Sequence, residues 1–132
     1  MIPVRNFYEP CYETGSHVSW RFENADGSPL GLAGMWNAWV NQVTGQTFDT
    51  YTMITINADD HPTMKRMHKP DPNDPEKRMV AVLEPQDQQA WLFGSPEEAE
   101  QVIQQWPVEK IKATPMPKAE RKPAPPAQSD LF

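Results

Sequence analysis

The amino-terminal third of the chain alternates between apolar and polar residues in the way that β-strands do. Residues 18–22, Val-Ser-Trp-Arg-Phe, have the period of two that places every second side chain on one face of a sheet. A turn at Asp26-Gly27 separates them from residues 30–36, which are small, apolar and rich in glycine. This pattern predicts a β-hairpin.

Residues 47–56 form the longest run of β-branched and aromatic residues, and we predict that they are the central strand. Residues 79–83 are predicted to be a short apolar strand. Residues 57–77 carry four prolines and many charges, which predicts a long loop with one helical turn around residues 63–67. Ordered loops of this length inside a compact domain usually have a function.

Two helices are predicted after the last strand. The first covers residues 86–93 and ends at Gly94, and the second covers residues 96–105. Ser95 and Glu98 have the spacing of a capping box, and Pro96 occupies the first helical position. Strands followed by helices within so short a chain predict a single α+β domain.

The composition changes beyond residue 107, where lysine, alanine and proline replace the periodic apolar residues. Such a segment buries too little apolar surface to offset chain entropy. We therefore predict a domain over residues 1–107 and a linker over residues 108–127, disordered from residue 112 onwards.

The balance of acidic and basic residues changes near residue 110, close to the change in composition. Residues 1–109 hold 7 Lys+Arg and 16 Asp+Glu, whereas residues 110–132 hold 5 and 2. An acidic domain attracts nucleic acid poorly, so any nucleic-acid function requires a local basic site.

Several classes of protein are made improbable by what the sequence contains. Cys11 is the single cysteine, which excludes an internal disulfide. The three histidines lack the spacing of metal ligands on a helix, so neither a metal nor another cofactor is predicted. No apolar run approaches the about 18 residues of a membrane span, and no signal peptide is recognisable, so we expect a cytoplasmic protein without a membrane partner.

Seven short segments occur in an order that resembles one protein family, the SOS-response-associated peptidases (SRAP). The segments are Phe7-Tyr8-Glu9, Ala25-Asp26-Gly27-Ser28-Pro29-Leu30, Ala33-Gly34-Met35-Trp36, Thr52-Met53-Ile54-Thr55-Ile56-Asn57-Ala58, Met67-His68, Arg78-Met79-Val80-Ala81-Val82-Leu83 and Trp91-Leu92. The resemblance covers residues 1 to about 107 and corresponds to the C-terminal part of a family domain. It implies strands that curl into a partly open, barrel-like mixed sheet with helices at one side.

The resemblance also implies a function in the response to DNA damage. Members of this family attach covalently to abasic sites in single-stranded DNA, through an N-terminal cysteine exposed when the initiator methionine is removed. The glutamate of the family's Phe-Tyr-Glu motif corresponds to Glu9, and the histidine ahead of its Arg-Met pair corresponds to His68. A cytoplasmic protein associated with the nucleoid is expected on the same basis.

Three features differ from the family pattern. The chain begins Met1-Ile2, and the nitrogen of Cys11 is an amide that forms no Schiff base, so we expect this polypeptide not to crosslink. The family's Asn-Ala-Arg segment, which helps to hold the DNA backbone, would precede residue 1. An insertion separates His68 from Arg78, so His61 is the alternative histidine. In a second hypothesis, the chain is a non-catalytic remnant or half-protein that binds DNA or a partner chain and docks on the sliding clamp. Either its gene start was lost or a partner chain supplies the N-terminal half.

The residue types of the two catalytic candidates suit proton transfer. Glu9 lies between Tyr8 and Pro10, and an apolar setting raises a carboxyl pKa towards neutrality. His68 titrates near neutral pH and would protonate the sugar ring oxygen as the ring opens. The alternatives are a surface carboxylate on an edge strand and a solvated loop histidine.

Five cations of the long loop and its end are candidates for contact with the phosphate backbone: Lys65, Arg66, Lys69, Lys77 and Arg78. Arg78 is the first choice among them, and a solvated charged loop is the alternative. Trp36, Trp39 and Trp91 have rings suited to stacking on bases, but core packing is the preferred interpretation for Trp36 and Trp91.

The last five residues resemble the peptide with which bacterial repair proteins dock on the DNA sliding clamp. Gln128 comes first, Asp130 supplies the acidic third position, and Leu131 and Phe132 form the apolar end. A clamp pocket would bury both apolar side chains, and the proline-rich linker would act as a spacer.

Overall fold

The computed structural model describes residues 1–69 and 71–116 of the chain. The strands are β1 (Ile2–Val4), β2 (Phe7–Cys11), β3 (Val18–Asn24), β4 (Leu30–Leu32), β5 (Gly34–Val40), β6 (Thr47–Met53), β7 (Thr55–Asn57), β8 (Arg78–Val80), β9 (Val82–Leu83) and β10 (Ile111–Met116). The helices are α1 (Gln88–Phe93) and α2 (Pro96–Gln101), with 3-10 turns at Met64–Arg66 and Val108–Lys110. The predicted α+β class is confirmed.

Within residues 1–69 and 71–116, the strands divide among four small antiparallel sheets, and none of these closes into a barrel. Two sheets have three strands, in the orders β1-β4-β9 and β10-β3-β2. The other two are the pairs β5-β6 and β7-β8. The open arrangement expected from the family resemblance is thus present.

The core lies where the two three-stranded sheets and the loop after β7 meet. Phe7 and Phe22 are opposite each other in the β2-β3 register, and their rings stack with centroids 5.3 Å apart. Trp106 packs beside Phe7 and is almost fully buried, as are Met64 of the 3-10 turn and Met67, which follows the turn. The alternation predicted for residues 18–22 therefore places Phe22 inside the core.

Residues 47–56 are not the central strand that their composition predicts. All seven residues of β6 are exposed, and β6 pairs only with β5 to form a two-stranded ribbon, which we call the β5–β6 ribbon. Trp36, predicted to be buried, is 75% exposed on it. Aromatic and β-branched residues have the same composition in a buried strand and in an exposed ribbon, so composition alone does not distinguish the two.

Backbone hydrogen bonds at Ile54 end the ribbon. The Ile54 N–H donates to Ala33 O, the Ala33 N–H donates to Ala81 O, and the Ala81 N–H donates to Ile54 O, all at 2.9–3.0 Å. This ring of three bonds turns the chain out of β6 and into β7, which pairs with β8.

The capping box predicted before α2 is confirmed, but the helix is shorter than predicted. Ser95 Oγ accepts from the Glu98 N–H at 3.2 Å, and Glu98 Oε2 accepts from the Ser95 N–H at 2.7 Å. The helix ends at Gln101 instead of residue 105 because Val102 and Ile103 pack against the cluster around Ala33. That packing carries the chain away from the helical path.

The folded part of the chain extends beyond the predicted boundary at residue 107. Strand β10 pairs with the whole length of β3, from Ile111 opposite Asn24 to Met116 opposite Ser19. Ile111 and Ala113 pack against the core, so two apolar residues suffice where an existing strand offers its edge. The rest of the linker and the C-terminal peptide with Gln128, Leu131 and Phe132 lie outside the described residues.

Among the described residues, no helix is both long and apolar enough to cross a membrane. Within the same residues, no group of three or more His, Cys, Asp or Glu side chains is placed to hold a metal ion.

Candidate active site

The structure brings Glu9 and His68, which are 59 positions apart, into direct contact. Glu9 lies on β2 opposite Trp20 of β3, and only 14% of its side chain is exposed. His68 follows the 3-10 turn, and its Nε2 atom lies 3.0 Å from Glu9 Oε2. The imidazole is 45% exposed, so the pair has one largely buried member and one that reaches solvent.

The backbone at residues 67–68 is fastened to the end of β2. Met67 forms an isolated β-bridge with Cys11, and the His68 N–H donates to Pro10 O at 2.6 Å. From the other side, Lys77 Nζ donates to Met67 O and to His68 O, each at 2.9 Å. These contacts fix the backbone of residues 67–68 at the end of β2, where His68 reaches Glu9.

The surroundings of the pair favour a proton on the carboxyl. Burial raises the pKa of Glu9 from 4.5 to about 7, as its apolar setting predicts. Burial also lowers the pKa of His68, and the ammonium of Lys77 lowers it further. Near neutral pH the proton therefore resides mainly on Glu9, and the 3.0 Å contact is the path by which it can pass to His68 Nε2.

His61, the alternative histidine, has a structural function instead. Its Nδ1 accepts from the N–H groups of Thr63 and Met64, which requires the ring proton to be on Nε2. Nε2 then donates to Trp106 O at 2.9 Å, and the side chain is buried. Both nitrogens are occupied, so the structure favours His68 as the catalytic candidate.

Two open cavities flank His68, and the five predicted cations line them. The first, of about 380 Å³, is lined by Tyr12, Glu13, Lys65, Arg66, His68 and Lys77. The second, of about 230 Å³, is lined by His68, Lys69, Asp71, Asp74, Glu76, Lys77 and Arg78. The cations therefore lie around His68, together with several carboxylates.

The five cations differ in whether their side chains form ion pairs and hydrogen bonds within the domain. Arg66 forms a bidentate pair with Glu13 at 2.7 and 2.9 Å, and its guanidinium lies over the Trp20 ring. Arg78 binds Glu76 Oε1 at 2.6 Å and both the side chain and carbonyl oxygen of Thr55. Both arginines are thus held by the domain itself.

The side chains of Lys65 and Lys69 are exposed, and neither has an ion-pair partner within residues 1–69 and 71–116.

The contacts of Glu13 and Trp20 with Arg66, and those of Lys77 with residues 67–68, were not predicted from the sequence. No local spacing connects residues so far apart in the chain.

A family model described as "SOS response associated peptidase (SRAP)" matches residues 1–122 of this chain. The chain belongs to the SRAP family. Two solved structures resemble this SRAP domain. A protein from Bordetella bronchiseptica superposes with a TM-score of 0.78 at 36% identity, covering 87% of this chain and 53% of that one.

A protein from Bacteroides thetaiotaomicron superposes with a TM-score of 0.68 at 21% identity, covering 87% of this chain and 47% of that one, and supports the fold alone. This SRAP chain thus spans about half the length of the solved structures that it matches. A search of curated proteins found no match. The expected SRAP catalytic residues Glu9 and His68 are the two side chains that the structure brings into contact.

Proposed function

We propose that this SRAP domain binds abasic sites in single-stranded DNA and opens their sugar ring by proton transfer through Glu9 and His68. The observation that supports this most is the 3.0 Å contact between His68 Nε2 and a buried carboxyl whose pKa is about 7. An acid matched to neutral pH and connected to an exposed imidazole is suited to passing a proton to a ligand.

Ring opening breaks the C1′–O4′ bond of the sugar. The hydroxyl proton leaves O1′ as the C1′=O1′ bond forms, and O4′ gains a proton. In the proposed reaction, Glu9 passes its proton to His68 Nε2, and the imidazolium protonates O4′. The pair then recovers the proton released from O1′, so the reaction neither consumes nor releases a proton overall.

Trapping of the open-chain aldehyde tests this proposal without requiring a crosslink. An abasic oligonucleotide is mixed with an alkoxyamine, and the rate of oxime formation is measured with and without the 132-residue polypeptide. We expect acceleration of about tenfold or more, lost in Glu9→Gln and in His68→Gln. Glu23→Gln is the matched control, since Glu23 pairs with Lys112 and Arg21 on β3 and β10.

The same samples test the expected lack of crosslinking. We expect no shifted band that survives SDS, because Cys11, the single cysteine of this polypeptide, is buried and its nitrogen is an amide that forms no Schiff base. A robust band would show another nucleophile and contradict this. Equal trapping rates for wild type and Glu9→Gln would overturn the proton-transfer proposal and favour a non-catalytic protein.

We propose a second site of interaction at the C-terminus, where Gln128, Leu131 and Phe132 would dock on the DNA sliding clamp. Burial of two apolar side chains in a preformed pocket is worth roughly 1.5–3 kcal/mol each before ordering costs. The double variant Leu131→Ala with Phe132→Ala should abolish binding to purified clamp and leave the melting temperature of the domain unchanged. The absence of binding by the intact chain at tens of micromolar, roughly −6 kcal/mol, would refute the proposal.

The second candidate function is pairing with a polypeptide that corresponds to the rest of an SRAP domain, and the β5–β6 ribbon supports it. Trp36 and Tyr51 face each other across the ribbon and are 75% and 76% exposed. Asp49 is the single charged residue within residues 34–53, so the ribbon suits an apolar protein surface better than a phosphate backbone.

The unmatched half of the Bordetella bronchiseptica protein is a suitable probe for this pairing. Its addition should shift tryptophan emission of the chain to shorter wavelength, and Trp36→Ser with Tyr51→Ser should weaken binding. Phe93→Ser is the matched control, since Phe93 is 77% exposed on α1 and outside the ribbon. Binding that is unaffected by the ribbon variant, or equally weakened by the control, would contradict the assignment.

A further inference from the structure

Lys77 was predicted from the sequence to bind phosphate, but its side chain forms hydrogen bonds within the domain. Its Nζ atom donates to the carbonyl oxygens of two consecutive residues, Met67 and His68, at 2.9 Å each. Charge-assisted hydrogen bonds of this kind are about twice as strong as neutral ones. Among the five cations around the site, Lys77 is the one whose ammonium contacts the backbone of the catalytic histidine.

The backbone of Lys77 is fixed independently of its side chain. The Ala58 N–H donates to Lys77 O at 2.7 Å, and the Lys77 N–H donates to Asp59 Oδ1 at 2.8 Å. These bonds anchor Lys77 at the start of β8, beside the end of β7. The side chain therefore reaches from a fixed point to the turn that carries His68.

The backbone of this turn has an unfavourable conformation that surrounding contacts must stabilise. His68 has φ of 62°, and among the described residues it is the single non-glycine residue with a positive φ. This left-handed conformation is unfavourable for residues with a Cβ atom and persists only where surrounding contacts enforce it. The enforcing contacts are the His68 N–H bond to Pro10 O and the two Lys77 bonds to the carbonyl oxygens.

We propose that Lys77 is the positioning residue of the Glu9–His68 pair, holding residues 67–68 in the conformation that keeps His68 Nε2 on Glu9. This inference rests on the proposed function only in treating that pair as the site of proton transfer. It also removes Lys77 from the phosphate-binding set. The ammonium has a second effect, because its positive charge disfavours a proton on the imidazole.

The test uses the full chain, without DNA, and compares Lys77→Met, Lys77→Arg and Lys65→Met. Amide exchange at His68 reports the turn, and the imidazole titration followed by NMR reports the charge. We expect Lys77→Met to speed exchange of the His68 amide about tenfold and to raise the pKa of His68. Lys77→Arg keeps the charge and the donors, so it should restore slow exchange.

Lys65→Met is the control. Lys65 lines the cavity that His68 and Lys77 also line, but within the described part of the chain its side chain forms no hydrogen bond with residues 67–68. Equal changes in Lys65→Met and Lys77→Met would show a general charge effect and overturn the proposal. An unchanged His68 amide in Lys77→Met would overturn it as well. Because neither readout involves DNA, failure of the ring-opening assay would leave this result standing, and the reverse also holds.

Discussion

Replacing Glu9 by glutamine should make the fold more stable at alkaline pH while removing the proposed activity. The folded-state pKa of about 7 exceeds the ordinary value of 4.5, so the native state binds the proton more tightly than the unfolded chain does. The stabilisation from this group is complete below pH 4.5 and is lost as the pH rises through 7. At higher pH, the native state carries a buried carboxylate at a free-energy cost.

The size of that cost follows from the two pKa values. Each tenfold change in proton affinity corresponds to about 1.4 kcal/mol, so raising a pKa from 4.5 to about 7 costs about 3 kcal/mol above pH 8. The His68 hydrogen bond stabilises the carboxylate in part. We therefore expect Glu9→Gln to raise the free energy of unfolding by about 1–3 kcal/mol at pH 8 and by less than about 1 kcal/mol at pH 5.

Urea unfolding followed by tryptophan fluorescence at pH 5 and pH 8 measures both values. Glu13→Gln is the matched control, because the hydrogen bond from Arg66 lowers the pKa of Glu13. Loss of that carboxylate should destabilise the protein at pH 8 and have less effect at acidic pH. If Glu9→Gln lowers stability at pH 8, or changes it equally at both values, burial is not what sets the pKa of Glu9 and the reasoning fails.

Three further predictions concern the cap, the buried histidine and the basic residues. Ser95→Ala should lower the free energy of unfolding by about 1 kcal/mol, because it removes one half of the capping box, and chemical denaturation measures this. His61→Ala should lower it by about 2–4 kcal/mol in the same assay, since two buried backbone groups and one partly buried group lose their hydrogen-bond partner. Arg78→Ala and Lys65→Ala should each weaken binding of single-stranded DNA and reduce the slope of log K against log salt concentration by about 0.7 per lost phosphate contact. Binding titrations at several salt concentrations measure that slope, and an unchanged affinity and slope would exclude these residues from the interface.

Local sequence signals predicted the parts of the fold that depend on neighbouring residues. The capping box at Ser95 and the alternation that buries Phe22 need only a few consecutive positions, and both are present. Trp36 was wrongly predicted to be buried, because β5 and β6 form a two-stranded ribbon that pairs with no further strand of the described residues. Strand β10 was missed because its pairing with β3, not its own composition, stabilises it.

The candidate site was predictable in its residues but not in its arrangement. Family resemblance identified Glu9 and His68, and the apolar neighbours of Glu9 predicted the direction in which its pKa moves. The contacts of Lys77 depend on where β8 begins after an insertion, which no residue spacing specifies. Long-range hydrogen bonds of this kind become visible only when the chain is folded.

The pairing of β10 with β3 has a consequence for how the protein is made. Ile111 lies opposite Asn24, so the two partners are 87 positions apart. The second edge of β3 therefore stays unpaired until residues 111–116 have emerged from the ribosome. Contacts so distant in sequence slow folding and leave a strand edge free in the meantime. A nascent chain halted near residue 107 would present that edge, with unpaired N–H and C=O groups, to other unfinished chains on the same messenger RNA.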